Sequence, residues 1–327
     1  MGAPGAEGFE TGVSGTVGSI RATVRASWEA PLLVRLQPVA WASLVITAGP
    51  AAAGALDSWS TAPRAVATVI LWAAWAAVLL ASFAPRPLGL TALRVAAPVA
   101  LVLAAMTGLV TGPAPTALET LLAVAGTAVA AALAFTPAVG YRFVNGAAYG
   151  EERRYPLRVP PALLLGPVPA AGALLAAGVA AGPLLLADRR WVTGAVALVA
   201  GVPLVRAAGR SVYALSQRWA VLVPAGIVLK DPLTLVDPVL FPRDKIASLR
   251  PLPYPTAPAE DIVDLRLGAV AGSLVLELTE PAQLYRSAGR QRGGEAVQAR
   301  RLAFSPRQPD ALLQEAATRK KPRGFVL

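Results

Sequence analysis

Six stretches of about 20 apolar residues, parted by short breaks of proline, glycine and charge, leave this chain few ways to fold. They run over 39–56, 65–84, 95–112, 117–139, 161–187 and 191–208. A helix crossing hydrocarbon needs about 20 apolar residues, and in lipid it must satisfy its own backbone polar groups. The pattern therefore predicts an α-helical membrane bundle of about six transmembrane helices. Composition agrees: 55% of the 327 residues are hydrophobic and only 15% charged, with a mean hydropathy of +0.55. No Asp, Glu, Lys or Arg falls in the middle of any stretch, whereas ion-coupled transport places ionisable groups at mid-depth. Thr116-Ala-Leu-Glu119 has the spacing of a capping box at the start of the fourth span. Gly178-x-x-x-Gly182 permits close helix contact within the bundle.

Between the fourth and fifth spans lies a polar, basic interlude, Gly140–Pro160, with Arg142, Arg153, Arg154 and Arg158. Arginines also cluster before the first span (Arg21, Arg25, Arg35) and between the second and third (Arg86, Arg94). The first loop holds Arg64 alone, 112–116 holds no basic residue, and Asp188-Arg189-Arg190 is the exception. The positive-inside rule then predicts a multi-pass plasma-membrane protein with both termini cytoplasmic. Before the bundle, segment 1–38 opens acidic and small, unlike a signal peptide. Within 13–36, Val13, Val17, Ile20, Val24 and Trp28 recur at helical spacing; the stretch reads either as an interfacial helix or as a disordered tail.

The last third, 209–327, changes to alternating hydrophobicity, the mark of strands with one face on a core. Trp219–Val223 and Ile227–Lys230 form a hairpin around Pro224-Ala225-Gly226; five more short strands follow, at 239–241, 246–249, 261–267, 272–279 and 300–305. Tyr285–Gln298 reads as a mobile Gly/Arg-rich loop, and Pro309–Lys320 as a closing helix. Seven strands and a terminal helix, with RWAVLVPAGIVLKD (218–231), FPRDKIASL (241–249) and LAFSPRQPDALLQEA (302–316), resemble the PH-like domains of bacterial membrane proteins. The loop GAAYGEERRYPLRVPP is similar to a motif of uncharacterised actinobacterial membrane proteins. PH domains that read phosphoinositides carry basic residues in the first hairpin loop; Pro224-Ala225-Gly226 is uncharged and departs from that pattern.

Without His or Cys, imidazole bases, thiol nucleophiles and Cys/His zinc sites are excluded. No P-loop, dinucleotide fingerprint or G-x-S-x-G elbow occurs, and no cofactor is implied. The net charge of +11 is scattered without a nucleic-acid-binding motif. Asp231, Asp237 and Asp244 sit near prolines, where Asp caps backbone turns. Glu151-Glu152-Arg153-Arg154 reads as a salt-bridged turn that docks the soluble domain, or as part of a headgroup site. The expectation is a non-enzymatic membrane protein whose cytoplasmic PH-like domain binds a protein partner or anionic lipid headgroups, as a scaffold or regulator. Arg153, Arg154, Arg158, Arg290, Arg292, Arg300 and Arg301 are the candidate contacts. The alternative is a transporter or permease component for a neutral or lipid-like solute, with the soluble domain regulatory.

Overall fold

The computed structural model describes residues 30–110, 115–253, 261–287 and 293–319. Five helices are long and apolar enough to cross a membrane, as befits an integral membrane protein: α4 (Thr61–Phe83), α5 (Pro87–Thr107), α6 (Ala117–Ala134), α9 (Pro167–Ala187) and α10 (Trp191–Ser216). The expected span 39–56 is not one helix. It lies within three short segments, α1 (Pro31–Ala42), α2 (Leu44–Thr47) and α3 (Gly49–Ala55). The breaks have local causes: Ser43 Oγ donates to the Ala40 carbonyl (2.9 Å), and Pro50 opens α3 without a backbone donor. Pro161, Gly166 and Pro167 likewise split the expected span 161–187 into α8 (Pro161–Leu165) and α9. The span 117–139 ends at Ala134, after which Pro137 starts a separate helix, α7 (Pro137–Asn145). In the other direction, α10 runs to Ser216 rather than Ala208.

The capping box forms as the spacing predicts. The Thr116 backbone N–H donates to Glu119 Oε2 (2.8 Å), and the Glu119 N–H donates to Thr116 Oγ1 (3.2 Å). Glycines let α9 and α10 pack backbone to backbone: a Cβ on Gly201 would stand 2.9 Å from the Gly178 carbonyl oxygen. Trp41 and Trp75 tie α1 to α4 by donating each indole N–H to the other's carbonyl (both 3.0 Å).

The C-terminal third, joined by one strand from the interlude, builds two four-stranded sheets. In the first, β1 (Arg153–Pro156), β2 (Trp219–Val223), β3 (Gly226–Lys230) and β4 (Val239–Pro242) pair antiparallel in that order. In the second, β5 (Ile246–Pro251) pairs β7 (Leu274–Arg286), which pairs β8 (Glu295–Phe304); β6 (Ile262–Asp264) runs parallel to β8. Helix α11 (Pro309–Thr318) closes one end. Two expectations change here. The two ends of the region 285–298 are strand, since β7 continues to Arg286 and β8 starts at Glu295, with Ala282 to Arg286 paired against Ala299 to Glu295; 288–292 lie outside the described residues. The first sheet also takes its edge strand from the interlude between α7 and α8, so the β domain is not confined to 209–327.

Alternation explains why β1 belongs there. Tyr155 and Leu157 point into a core with Leu222, Phe241, Leu249, Leu276, Phe304 and Leu312. Arg154 points the other way, over the Trp219 ring (5.3 Å). Pro156 cannot donate to a ladder, and an edge strand is where that is tolerated. The β2–β3 turn is two residues, Pro224-Ala225, after which Gly226 (φ 156°) lets β4 approach: a Cβ there would lie 2.0 Å from the Phe241 carbonyl oxygen.

Candidate functional site

The β domain does not hang from α10 on a tether; it is set into one end of the bundle. Trp219 and Val221, on the outer face of β2, share one apolar cluster with Trp41, Leu90, Leu93, Val139, Phe143 and Val144. Helix α7 sits between the two bodies. Its Phe143 and Val144 face that cluster, while Tyr141 packs against the β core and lies 6.0 Å from Tyr155 between ring centroids. At the end of α7, the Asn145 side chain acts as one more rung of the sheet. It accepts the Arg154 N–H and donates to the Arg154 carbonyl, both at 2.8 Å.

The deepest polar contact ties three separate parts of the chain. Arg218, between α10 and β2, is 2% exposed and forks onto Asp231, with Nε–Oδ1 and Nη2–Oδ2 both 2.7 Å. Its Nη1 donates to the Arg158 carbonyl (2.8 Å), and its own carbonyl accepts the Leu157 N–H (3.0 Å). Asp231 also accepts the Leu233 N–H (3.1 Å), which is the turn-capping role read from sequence. A bidentate guanidinium–carboxylate pair with its remaining donors satisfied is the geometry that makes a buried ion pair tolerable. Three polar groups thus close the seam: the loop after β1, the end of α10 and the end of β3.

The candidate arginines do not form one surface. Arg154 is spent on the seam: Nε donates to Glu152 Oε1 (2.7 Å) and Nη2 to the Ala147 carbonyl (3.2 Å). That bond holds the Glu152 carboxyl below the usual carboxylate range. Of the two readings of the Glu151–Arg154 turn, this geometry matches the docking one. Arg153 is exposed, its guanidinium bonded to the Glu152 carbonyl (2.9 Å). Arg158 turns inward, with Nε buried. Arg300 is exposed on β8. Arg301 sits in an acidic clamp, 3.0 Å from Glu277 and 2.9 Å from Asp261, and its hydrogen bond lowers the Glu277 carboxyl's pKa. Arg290 and Arg292 lie outside the described residues, as do 1–29 and the basic tail 320–327.

Sequence reading missed Arg218 as a member of the site, although the hairpin register carries the signal. Trp219 pairs with Lys230, so the residues just outside, Arg218 and Asp231, stand opposite each other. Arg94, read only as an arginine between the second and third spans, lies inside α5, and no sequence signal singles out Arg307. Both bury their guanidinium groups at the same seam, where Arg94 Nε donates to the Ala134 carbonyl (3.3 Å) and burial, reinforced by the Arg158 charge, lowers Arg307 below the ordinary arginine value.

Charge is distributed unevenly between the two ends of the bundle. At the far end, Asp57 pairs with Arg64 (2.7 Å) and Asp188 with Arg190 (2.9 Å), leaving Arg189 unmatched among these five residues. At the β-domain end, Arg35, Arg142, Arg153, Arg206 and Arg210 are exposed, and none forms an ion pair among the described residues. Glu151 is the exposed carboxylate beside Arg153. Compared with protein-family models, with curated proteins and with solved structures, the chain matches none of them.

Proposed function

We propose that this chain is a non-enzymatic, multi-pass protein of the cell membrane whose PH-like domain works at the cytoplasmic face, in a scaffold or regulatory role. Of the two ligands considered, a protein partner and anionic lipid headgroups, the geometry favours headgroups. The observation that carries the reading is the collar of exposed arginines, Arg35, Arg142, Arg153, Arg206 and Arg210, at the end of the bundle into which the β domain is set. An anionic leaflet attracts basic side chains at that depth by about 1 kcal/mol each. The far end, where two ion pairs leave one arginine unmatched against five at the β-domain end, suits the opposite face. The broken run α1–α3 serves as a sixth crossing, which puts both ends of the chain on the β-domain side. Two four-stranded sheets closed by a terminal helix support the PH-like reading. A transporter would need a polar cavity at mid-depth. The cleft lined by Trp59, Pro63, Leu184 and Asp188 lies at the far end of the bundle rather than at mid-depth.

The test uses the full-length protein reconstituted in vesicles of equal phosphatidylcholine and phosphatidylglycerol, then extracted gently with its retained lipid quantified by mass spectrometry. Phosphatidylglycerol should be enriched several-fold, less so at high salt, and lose its enrichment when the five collar arginines are changed to Gln. Retention in proportion to the bilayer would refute the headgroup reading.

A further inference from the structure

Arg94 in α5, Arg158 just after β1 and Arg307 just before α11 are three arginines with no carboxylate paired to them among the described residues. Arg94 lies two turns into α5, its guanidinium 5.8 Å from the Phe135 ring, and its Nη2 is buried against Gly140 without a hydrogen-bond partner. The Arg307 charge acts on Arg94, and the Arg158 charge acts on Arg307.

The backbone explains the second approach. Leu157 bridges Pro306, the Arg158 N–H donates to the Ser305 carbonyl (2.8 Å) and the Arg307 N–H to the Pro156 carbonyl (2.8 Å). Arg158 and Arg307 therefore project on the same face of a short antiparallel pairing. The Arg158 guanidinium reaches the first turn of α11: a side chain at Gly272 would meet Pro309 at 3.1 Å and Arg158 Nη2 at 3.4 Å. Arg158 Nε is buried and unpartnered, and so are both ends of the Gln308 amide, at the N-cap of α11. Asp310, the nearest acid in sequence, is exposed and pairs with none of them.

Like charges brought together out of water are costly, by several kcal/mol per ion, unless something of opposite sign joins them. Guanidinium forks, an amide donor and the positive end of a helix are together the set that recognises a phosphate group. We propose that Arg94, Arg158, Arg307 and Gln308 bind a phosphate group at the seam between bundle and β domain. The group is carried by a lipid headgroup or arrives as free phosphate; Arg94 comes from the membrane side and the other three from the β domain, so the ligand clamps the two bodies together. This deepens the headgroup reading of the same membrane face, but it uses different residues from the collar.

The experiment is thermal unfolding of the full-length protein in a neutral detergent with chloride. Inorganic phosphate, glycerol phosphate or short-chain phosphatidylglycerol is added at constant ionic strength. At least one should raise the apparent melting temperature saturably by several degrees. A response to the lipid alone assigns a headgroup, and a response to all three assigns any phosphate. Arg158→Gln and Arg307→Gln should abolish the response while leaving the ligand-free protein as stable or more stable, since each removes a repelling charge. A residue that only held the fold would lower stability instead. Gln308→Leu and native mass spectrometry of one bound phosphate-bearing molecule give independent readouts should an arginine variant fail to fold. No saturable shift with any of the three compounds, or the same shift in the variants, overturns the proposal. The collar variant should keep the phosphate response, so failure of the lipid-retention test and failure of this one are distinguishable.

Discussion

Cut to Ser211–Leu327, the chain is expected to lose its native β domain. The cut removes β1, whose four residues pair with β2 from Arg153↔Leu222 to Pro156↔Trp219. It leaves β2 as an open hydrophobic edge, a template for aggregation. It also takes Tyr155 and Leu157 out of the core, side chains 1% and 5% exposed in the whole protein. Burying such a side chain contributes about 1.5–3 kcal/mol, so the pair represents about 3–6 kcal/mol of a domain stability that is commonly about 5–15 kcal/mol. Trp219 and Val221 lose their cover from α7 as well. The fragment should elute as an aggregate and melt without cooperativity. The same fragment with residues 152–159 joined to its N-terminus by a flexible linker should recover a cooperative transition, because the strand then returns at high effective concentration. A monomeric fragment that melts as cooperatively without the added strand as with it would show that β1 is dispensable.

Asp231→Ala in the full-length protein should cost about 3–5 kcal/mol, the usual consequence of stranding one member of a buried ion pair. The partner left behind, Arg218, is 2% exposed, and its remaining described contact is the Arg158 carbonyl. Arg218→Met should be nearly as damaging, since it strands Asp231 and frees that carbonyl. The double variant Arg218→Met/Asp231→Leu should recover much of the loss, because an apolar pair of similar volume replaces two charges that had to be dehydrated. The cost that remains, about 1–3 kcal/mol for a group left buried and unsatisfied, belongs to the Arg158 carbonyl and the Leu233 N–H, which both lose their partners. Unfolding in detergent, followed by tryptophan fluorescence, measures all three; Trp219 lies beside the pair in sequence and within the seam. A loss below about 1 kcal/mol for Asp231→Ala would mean the pair does not hold the seam.

Local periodicity announced most elements, and failed where a partner lay far away in sequence. Long apolar runs identify α4, α5, α6, α9 and α10 because a membrane helix satisfies its own backbone. The alternation at 219–230 identifies the hairpin because its two strands are neighbours. β1 escaped because four residues, one of them proline, have no strand signal strong enough alone. Their partner is Trp219–Val223, beyond two membrane helices. The run 39–56 looked like one span because its composition is apolar throughout; the interruptions at Ser43 and Ala48 come from side-chain hydrogen bonding and Pro50, which hydropathy does not register. Strands β7 and β8 extend past their apolar cores because cross-strand pairing carries polar residues such as Gln283 and Gln298. Charge counting marked Arg154 and Arg158 as exposed contacts. Arg154 turns onto Trp219 because β1 alternates, and Arg158, just past the strand, is carried to the head of α11 by its backbone bond to Ser305.

The claim on which the account turns is that the loop between α7 and α8 completes the β domain, and a cross-link tests it most directly. The chain has no cysteine, so a pair introduced at Arg153 and Leu222 can form a disulfide only with each other within one molecule. Directly opposed residues of an antiparallel ladder have Cα atoms about 4.5–5.5 Å apart, within the range a disulfide spans. Under mild oxidation of intact membranes, Arg153→Cys/Leu222→Cys should cross-link nearly completely, read as a linked peptide after proteolysis. Arg153→Cys/Ala220→Cys, two residues out of register, should cross-link poorly. Equal yields from the two pairs, or none from either, would contradict the strand pairing and with it the joined architecture.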